Sequence, residues 1–121
     1  MANSIQILSD LTVTGPAVPF RMSLGRQVIE QTGKRVKDVV VNIGTSEVTV
    51  PIDDIGTPGI VALINSDTTN YVRWGIATTA YTGRILAGEI VNPFRIEPGV
   101  QDLYLIANTA ACDVRIIVLE A

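Results

Sequence analysis

With 121 residues, 47% of them hydrophobic, and a mean hydropathy of +0.36, the chain is long enough for one buried core and too apolar for disorder. A charged fraction of 17% is low for a small monomer; it fits either strands buried on both faces or a surface covered by neighbours. A net charge of −3, with nine basic residues scattered along the chain, excludes the clustered positive charge that nucleic-acid binding requires.

The short Lys34-Arg-Val-Lys37 stretch reads as a solvated turn. Met1-Ala-Asn-Ser4 has no basic start leading into an apolar run, so no signal peptide is expected. No apolar run reaches membrane-spanning length, and the single Cys112 cannot form an intrachain disulfide. Synthesis and folding in a reducing cytosol are expected.

In chain order, apolar Ile5, Ile7, Leu11 and Val13 come first, then Gly15-Pro-Ala-Val-Pro19. Residues 4–14 are expected to form an edge strand or an extended arm, because two close prolines exclude a helix interior and a central strand. The same prolines predict an extended path rather than a continuous hairpin over residues 2–24. Phe20, Met22 and Leu24 alternate with Arg21 and Ser23 as in a half-buried strand. Residues 26–31 suit a strand or one helical turn, ended by Thr32-Gly33.

Sharper strands follow. Val39, Val41 and Ile43 face one way, and Val48, Val50 and Ile52 repeat the pattern up to Asp53-Asp54. Ile60 to Ile64 is apolar on both faces, as in a central strand covered on both sides or an interface. Val72, Trp74 and Ile76, then Phe94 and Ile96, then Leu103 and Leu105, then Val114, Ile116 and Val118 complete the alternation. Gly, Pro, Asn and Asp clusters punctuate these runs, the sequence form of a β-sandwich or barrel.

The chain contains no His, which removes the usual general base near neutral pH and the commonest transition-metal ligand. Asp53-Asp54 reads as a polar turn, and Asn65-Ser-Asp-Thr-Thr-Asn70 lacks the carboxylates of a calcium loop and reads as an Asx-type turn. Cys112 is expected to be a small buried hydrophobe and Trp74 a core anchor. Tyr71, Tyr81 and Tyr104 form no spaced ladder for stacking carbohydrate.

Several segments together resemble small virion structural proteins of tailed bacteriophages. The likeness begins at Gln31-Thr-Gly33 and Val41-Asn-Ile-Gly-Thr-Ser-Glu47 and is fuller across residues 57–72, a strand, an Asn-rich turn and an Asn-Tyr-Val strand. Ile85-Leu-Ala-Gly-Glu89, Phe94-Arg-Ile-Glu-Pro-Gly99 and residues 104–114 continue it. The resemblance implies a capsid decoration (cement) protein: a small jelly-roll or β-sandwich that binds the major capsid protein and itself, with a trimer favoured. It carries over no catalytic residue.

The expectation is therefore an all-β, single-domain, jelly-roll-like β-sandwich over residues 25–121, preceded by an N-terminal arm or edge strand over residues 1–24. The expected core comprises Val39, Val41, Val50, Leu63, Val72, Trp74, Phe94, Leu103, Leu105, Ile116 and Val118. The expected protein is no enzyme and uses no cofactor, metal, nucleic acid or membrane. Ile5, Ile7, Leu11 and Val13 are its expected partner interface, and the capsid surface of a virion, built in the host cytoplasm, is its expected location. A tail, neck or fibre module that recognises a host surface or joins virion parts is the alternative.

Overall fold

The computed structural model describes residues 3–15 and 19–121. Apart from one 3-10 turn at Asp53–Ile55, every regular element among the described residues is a strand. The chain divides into two compact units that meet in sequence at Gly33 and Lys34.

The first unit is a two-stranded antiparallel ribbon of β1 (Asn3–Val13) and β2 (Phe20–Gln31). This overturns the expectation that Pro16 and Pro19 prevent a hairpin. Pro19 lies in the connection just before β2, where no ladder N–H is required of it; Pro16 lies outside the described residues, as do Met1 and Ala2. Residues 26–31 are strand, so β2 runs past residue 24 to Gln31. The register slips by one residue between Leu8 and Asp10, opposite Leu24 and Gly25. Gly25 has a φ of 73°, which it adopts at little steric cost and which a β-bulge needs.

The second unit contains β3 (Val36–Ile43), β4 (Val48–Pro51), β5 (Pro58–Asn65), β6 (Val72–Gly75), β7 (Gly83–Ile85), β8 (Ile90–Arg95), β9 (Asp102–Ala107) and β10 (Cys112–Glu120). They form two antiparallel four-stranded sheets, β3-β10-β5-β8 and β4-β9-β6-β7. That is the strand order of a jelly roll, an eight-stranded double sheet. Alternation produces it: Val61, Leu63, Val114, Ile116 and Val118 of the first sheet and Val50, Val72, Ile85, Leu103 and Leu105 of the second share one buried cluster. Of the expected core, Val39, Val41, Trp74 and Phe94 are half-buried and packed against this cluster, and the other seven are buried in it. Trp74 stacks on Phe94 with ring centroids 5.6 Å apart.

β5 is an interior strand, flanked by β10 and β8, as its two-faced apolar run suggested. Three of the four sheet edges are blunted: β8 carries Pro93, β4 ends at Pro51, and β7 has three residues. Lys37 belongs to β3 rather than to a solvated turn, and its Nζ donates to the Pro51 carbonyl at 2.7 Å and to Asp54 at 2.8 Å.

Asn65 is fully buried. Its Nδ2 donates to the carbonyls of Asn70 and Ile85 at 3.0 Å and of Leu86 at 3.3 Å, while Oδ1 accepts the Asp67 N–H at 3.0 Å. One amide thus ties the end of β5 to the turn before β6 and to the exit of β7. The Asx-type bonds expected of residues 65–70 are present, since Asp67 also accepts from the Thr69 and Asn70 N–H groups. Asn65→Leu removes this donor from the three carbonyls, of which that of Leu86 keeps the Glu89 N–H at 3.0 Å, and takes the acceptor from the Asp67 N–H. A buried polar group left unpaired costs about 1–3 kcal/mol, so urea denaturation should show a loss on the order of 3 kcal/mol. Ser66→Ala, at an exposed neighbour, should stay within about 0.5 kcal/mol of the parent.

Candidate functional site

The four residues expected at a partner interface lie on one face of the ribbon. Alternation along β1 places Ile5, Ile7, Leu11 and Val13 together, and the register sets Ile29, Gln27, Met22 and Phe20 opposite them in that order. The reverse face pairs Ser4 with Glu30, Gln6 with Val28, Leu8 with Arg26, Asp10 with Ser23 and Thr12 with Arg21. It is the more polar face, but Leu8 and Val28 are exposed on it (74% and 57%), so apolar surface is found on both sides of the ribbon. Ile5, Ile7 and Ile29 are half-buried, whereas Leu11, Val13, Phe20 and Met22, next to the connection, are each about half exposed (51%, 50%, 47% and 49%). The alternation of Phe20 and Met22 marks one face of β2, but its pairing with Leu11 and Val13, and its continuation to Gln27 and Ile29 past the bulge at Gly25, are not legible in the sequence.

A second feature, also unanticipated, lies on the outer face of the β4-β9-β6-β7 sheet. The β6–β7 register sets Arg73 directly opposite Arg84, and both are exposed. The Arg84 guanidinium lies over the Tyr71 ring, 4.1 Å from its centroid, and Arg73 lies at 5.8 Å. Arg73 Nη2 also donates to the Tyr71 hydroxyl at 3.4 Å.

The segment after β6 folds back over its outer face. A Cβ at Gly75 would collide with the Ala80 carbonyl oxygen, so only glycine leaves room for this return. The Thr82 N–H donates to the Trp74 carbonyl at 2.7 Å. Glu47 braces the segment from outside: it accepts the Thr78 hydroxyl at 2.6 Å, the Thr79 N–H at 2.8 Å and the Tyr81 hydroxyl at 3.0 Å. These bonds hold Thr79 at a φ of 56°, the left-handed region that a β-branched residue avoids.

Elsewhere the chemistry is structural. Cys112 is fully buried, and burial, with the carboxylates of Asp67 and Asp113, pushes its thiol up from the ordinary value. Among the described residues no group of three or more Cys, Asp and Glu side chains converges on a metal position. No helix there is long and apolar enough to cross a membrane.

The Glu47 brace sets a pH dependence. Donation from Thr78, then from Thr79, holds the Glu47 carboxyl below its ordinary value of 4.5. A carboxyl depressed in the folded state contributes stability above its unfolded value and loses it as pH falls through the folded one. Amide hydrogen exchange at Thr79 should therefore accelerate as pH falls below about 4.5, beyond the intrinsic rate change. Glu47→Ala should show the same acceleration at neutral pH. Slow exchange in that variant would mean that the brace does not hold the segment.

Comparison with family models, with curated proteins and with solved structures found no match to this chain.

Proposed function

We propose that the chain is a non-enzymatic virion structural protein, a capsid decoration protein that binds the outer capsid surface and bridges its subunits. The observation that carries this reading is the exposed apolar surface of the ribbon, densest at its tip. A two-stranded ribbon is at best marginally stable alone in water, and Leu11, Val13, Phe20 and Met22 expose a contiguous apolar tip. Such a tip gains free energy when a second protein covers it. The resemblance of residues 31–114 to phage virion proteins supplies the kind of partner: the major capsid protein, and further copies of the chain in a trimer.

The mechanism is mechanical. A subunit that bridges capsid subunits adds contact area that must be lost before the shell opens. Binding the assembled shell stabilises it by mass action, by about 2.7 kcal/mol per site at a concentration one hundred times Kd. No bond is made or broken.

The test is cosedimentation with empty capsids assembled from the major capsid protein of the same genome. Leu11→Ser combined with Met22→Ser removes two apolar anchors worth roughly 1.5–3 kcal/mol each when covered. Capsid binding should fall by about a hundredfold, with the thermal melting of the sandwich unchanged. If the parent protein ignores capsids and sediments with purified tails, the tail, neck or fibre reading replaces this one. Unchanged capsid binding by the double variant would remove the ribbon from the interface.

A further inference from the structure

We infer that the outer face of the β4-β9-β6-β7 sheet binds an acidic saccharide, whose carboxylate sits between Arg73 and Arg84. Like charges placed directly opposite on neighbouring strands are destabilising. On the other sheet an arginine faces a carboxylate across the strands instead: Arg115 on β10 meets Asp38 on β3 through bonds of 2.8 and 2.6 Å. Among the described residues neither Arg73 nor Arg84 has such a carboxylate. The nearby carboxylate, Glu47, stays ionised but directs its hydrogen bonds to Thr78, Thr79 and Tyr81 and forms no ion pair with either arginine, so two positive charges face one negative. Two opposed guanidiniums without a paired counter-anion are the complement of an external one.

The pair is also held in place. Tyr71 lies against both guanidiniums, so less side-chain freedom is lost when their N–H groups engage a ligand. The braced segment walls one side, forming a depression of about 370 Å³ lined by Arg73, Tyr81, Thr82, Gly83 and Arg84. A second depression of about 190 Å³, with Thr45, Tyr71 and Asn108 at its rim, shares Arg73. Arg73 lines both.

The shape and the charge select the ligand. Two hollows in series suit successive rings of an extended chain, and Thr45, Thr82 and Asn108 offer partners for sugar hydroxyls. One carboxylate per one or two rings matches one arginine pair. A dense polyanion such as nucleic acid would need a longer basic track than this chain of net charge −3 provides. An acidic peptide could add to the edge strand β7, but three residues give it only a short ladder. The site lies on the sandwich, whereas the assembly reading rests on the ribbon, so either can fail alone.

The test is calorimetric titration of the full chain with octasaccharides of hyaluronan, alginate and polysialic acid. The controls are the neutral, carboxyl-reduced form of each saccharide, polyglutamate and sodium sulfate. At least one acidic saccharide should bind saturably, and its carboxyl-reduced form or the neutral control should bind at least about tenfold more weakly. Arg73→Gln and Arg84→Gln should each lose at least about tenfold, while Arg115→Gln should bind as the parent does. Relief of the opposed charges should leave the melting temperature of the first two variants unchanged or higher, which separates lost binding from unfolding. The inference is overturned if no acidic saccharide binds, if the neutral form binds equally, or if the arginine variants bind as the parent does. Tighter binding of polyglutamate would make the site one for an acidic protein, and binding of sulfate alone would make it a simple ion site; both also overturn it.

Discussion

The sandwich depends on its last strand being an interior one. β10 pairs with β3 along one side and with β5 along the other, and delivers Cys112, Val114, Ile116 and Val118 to the core. Its end is fastened to the start of the same unit, since the Glu120 carboxylate accepts the Lys34 and Arg35 N–H groups at 3.0 Å. Without β10, β3 has no partner in its sheet and β5 keeps only β8. Such non-local pairing repays loop closure late, so it favours slow, cooperative folding over assembly by local hairpins. Order then spreads outward from β5. Its terminal Asn65 fixes the approach to β6 and the exit of β7, and those two strands decide which side chains face one another on the opposite sheet.

The two units apply one alternation rule to different ends. In the sandwich each inward row meets the row of a second sheet, and the result is a dry core. The ribbon carries an equally apolar row, but as a two-stranded unit it contains no second sheet to meet it. Half exposure of Leu11, Val13, Phe20 and Met22 follows. The reverse face carries Arg21, Asp10 and Glu30 but also exposes Leu8 and Val28. Both sides of the ribbon thus leave apolar surface that a partner could cover, with the densest patch at the tip.

The strands were legible because a period of two survives in a single sequence: Val48 and Val50, or Val114 to Val118, announce their inward face without help from distant residues. The hairpin was misjudged because proline was weighed as a breaker of strands, when Pro19 sits in the connection and costs the ladder nothing. The apolar rows of β1 and of Phe20 and Met22 were readable for the same periodic reason, but their pairing and the continuation past the Gly25 bulge were not. Asn65 read as a turn former, and only the tertiary fold turns its amide into a buried crosslink. Arg73 and Arg84 were unreadable as a pair. Their apposition depends on the return of residues 76–82, hence on Gly75 and on a carboxylate at Glu47 far earlier in the chain.

That last case shows why net charge was a poor guide to anion binding here. Acidic residues outnumber basic ones twelve to nine, which argues correctly against a polyanion tracked over a long surface. At physiological salt, however, fields between exposed charges fade over about 8 Å. What an anion meets above β6 and β7 is therefore set by the groups beside it rather than by the sum over the chain. Two of those groups are guanidiniums on paired strands, and the one carboxylate bonded into the adjoining loop, Glu47, keeps its charge but pairs with neither. The carboxylates of Asp38 and Glu120 are held elsewhere, one by Arg115 and the other by backbone N–H groups. Hydrogen bonds do not remove a carboxylate's charge but fix where it sits, so the sign of a surface patch follows from which groups the strands bring together.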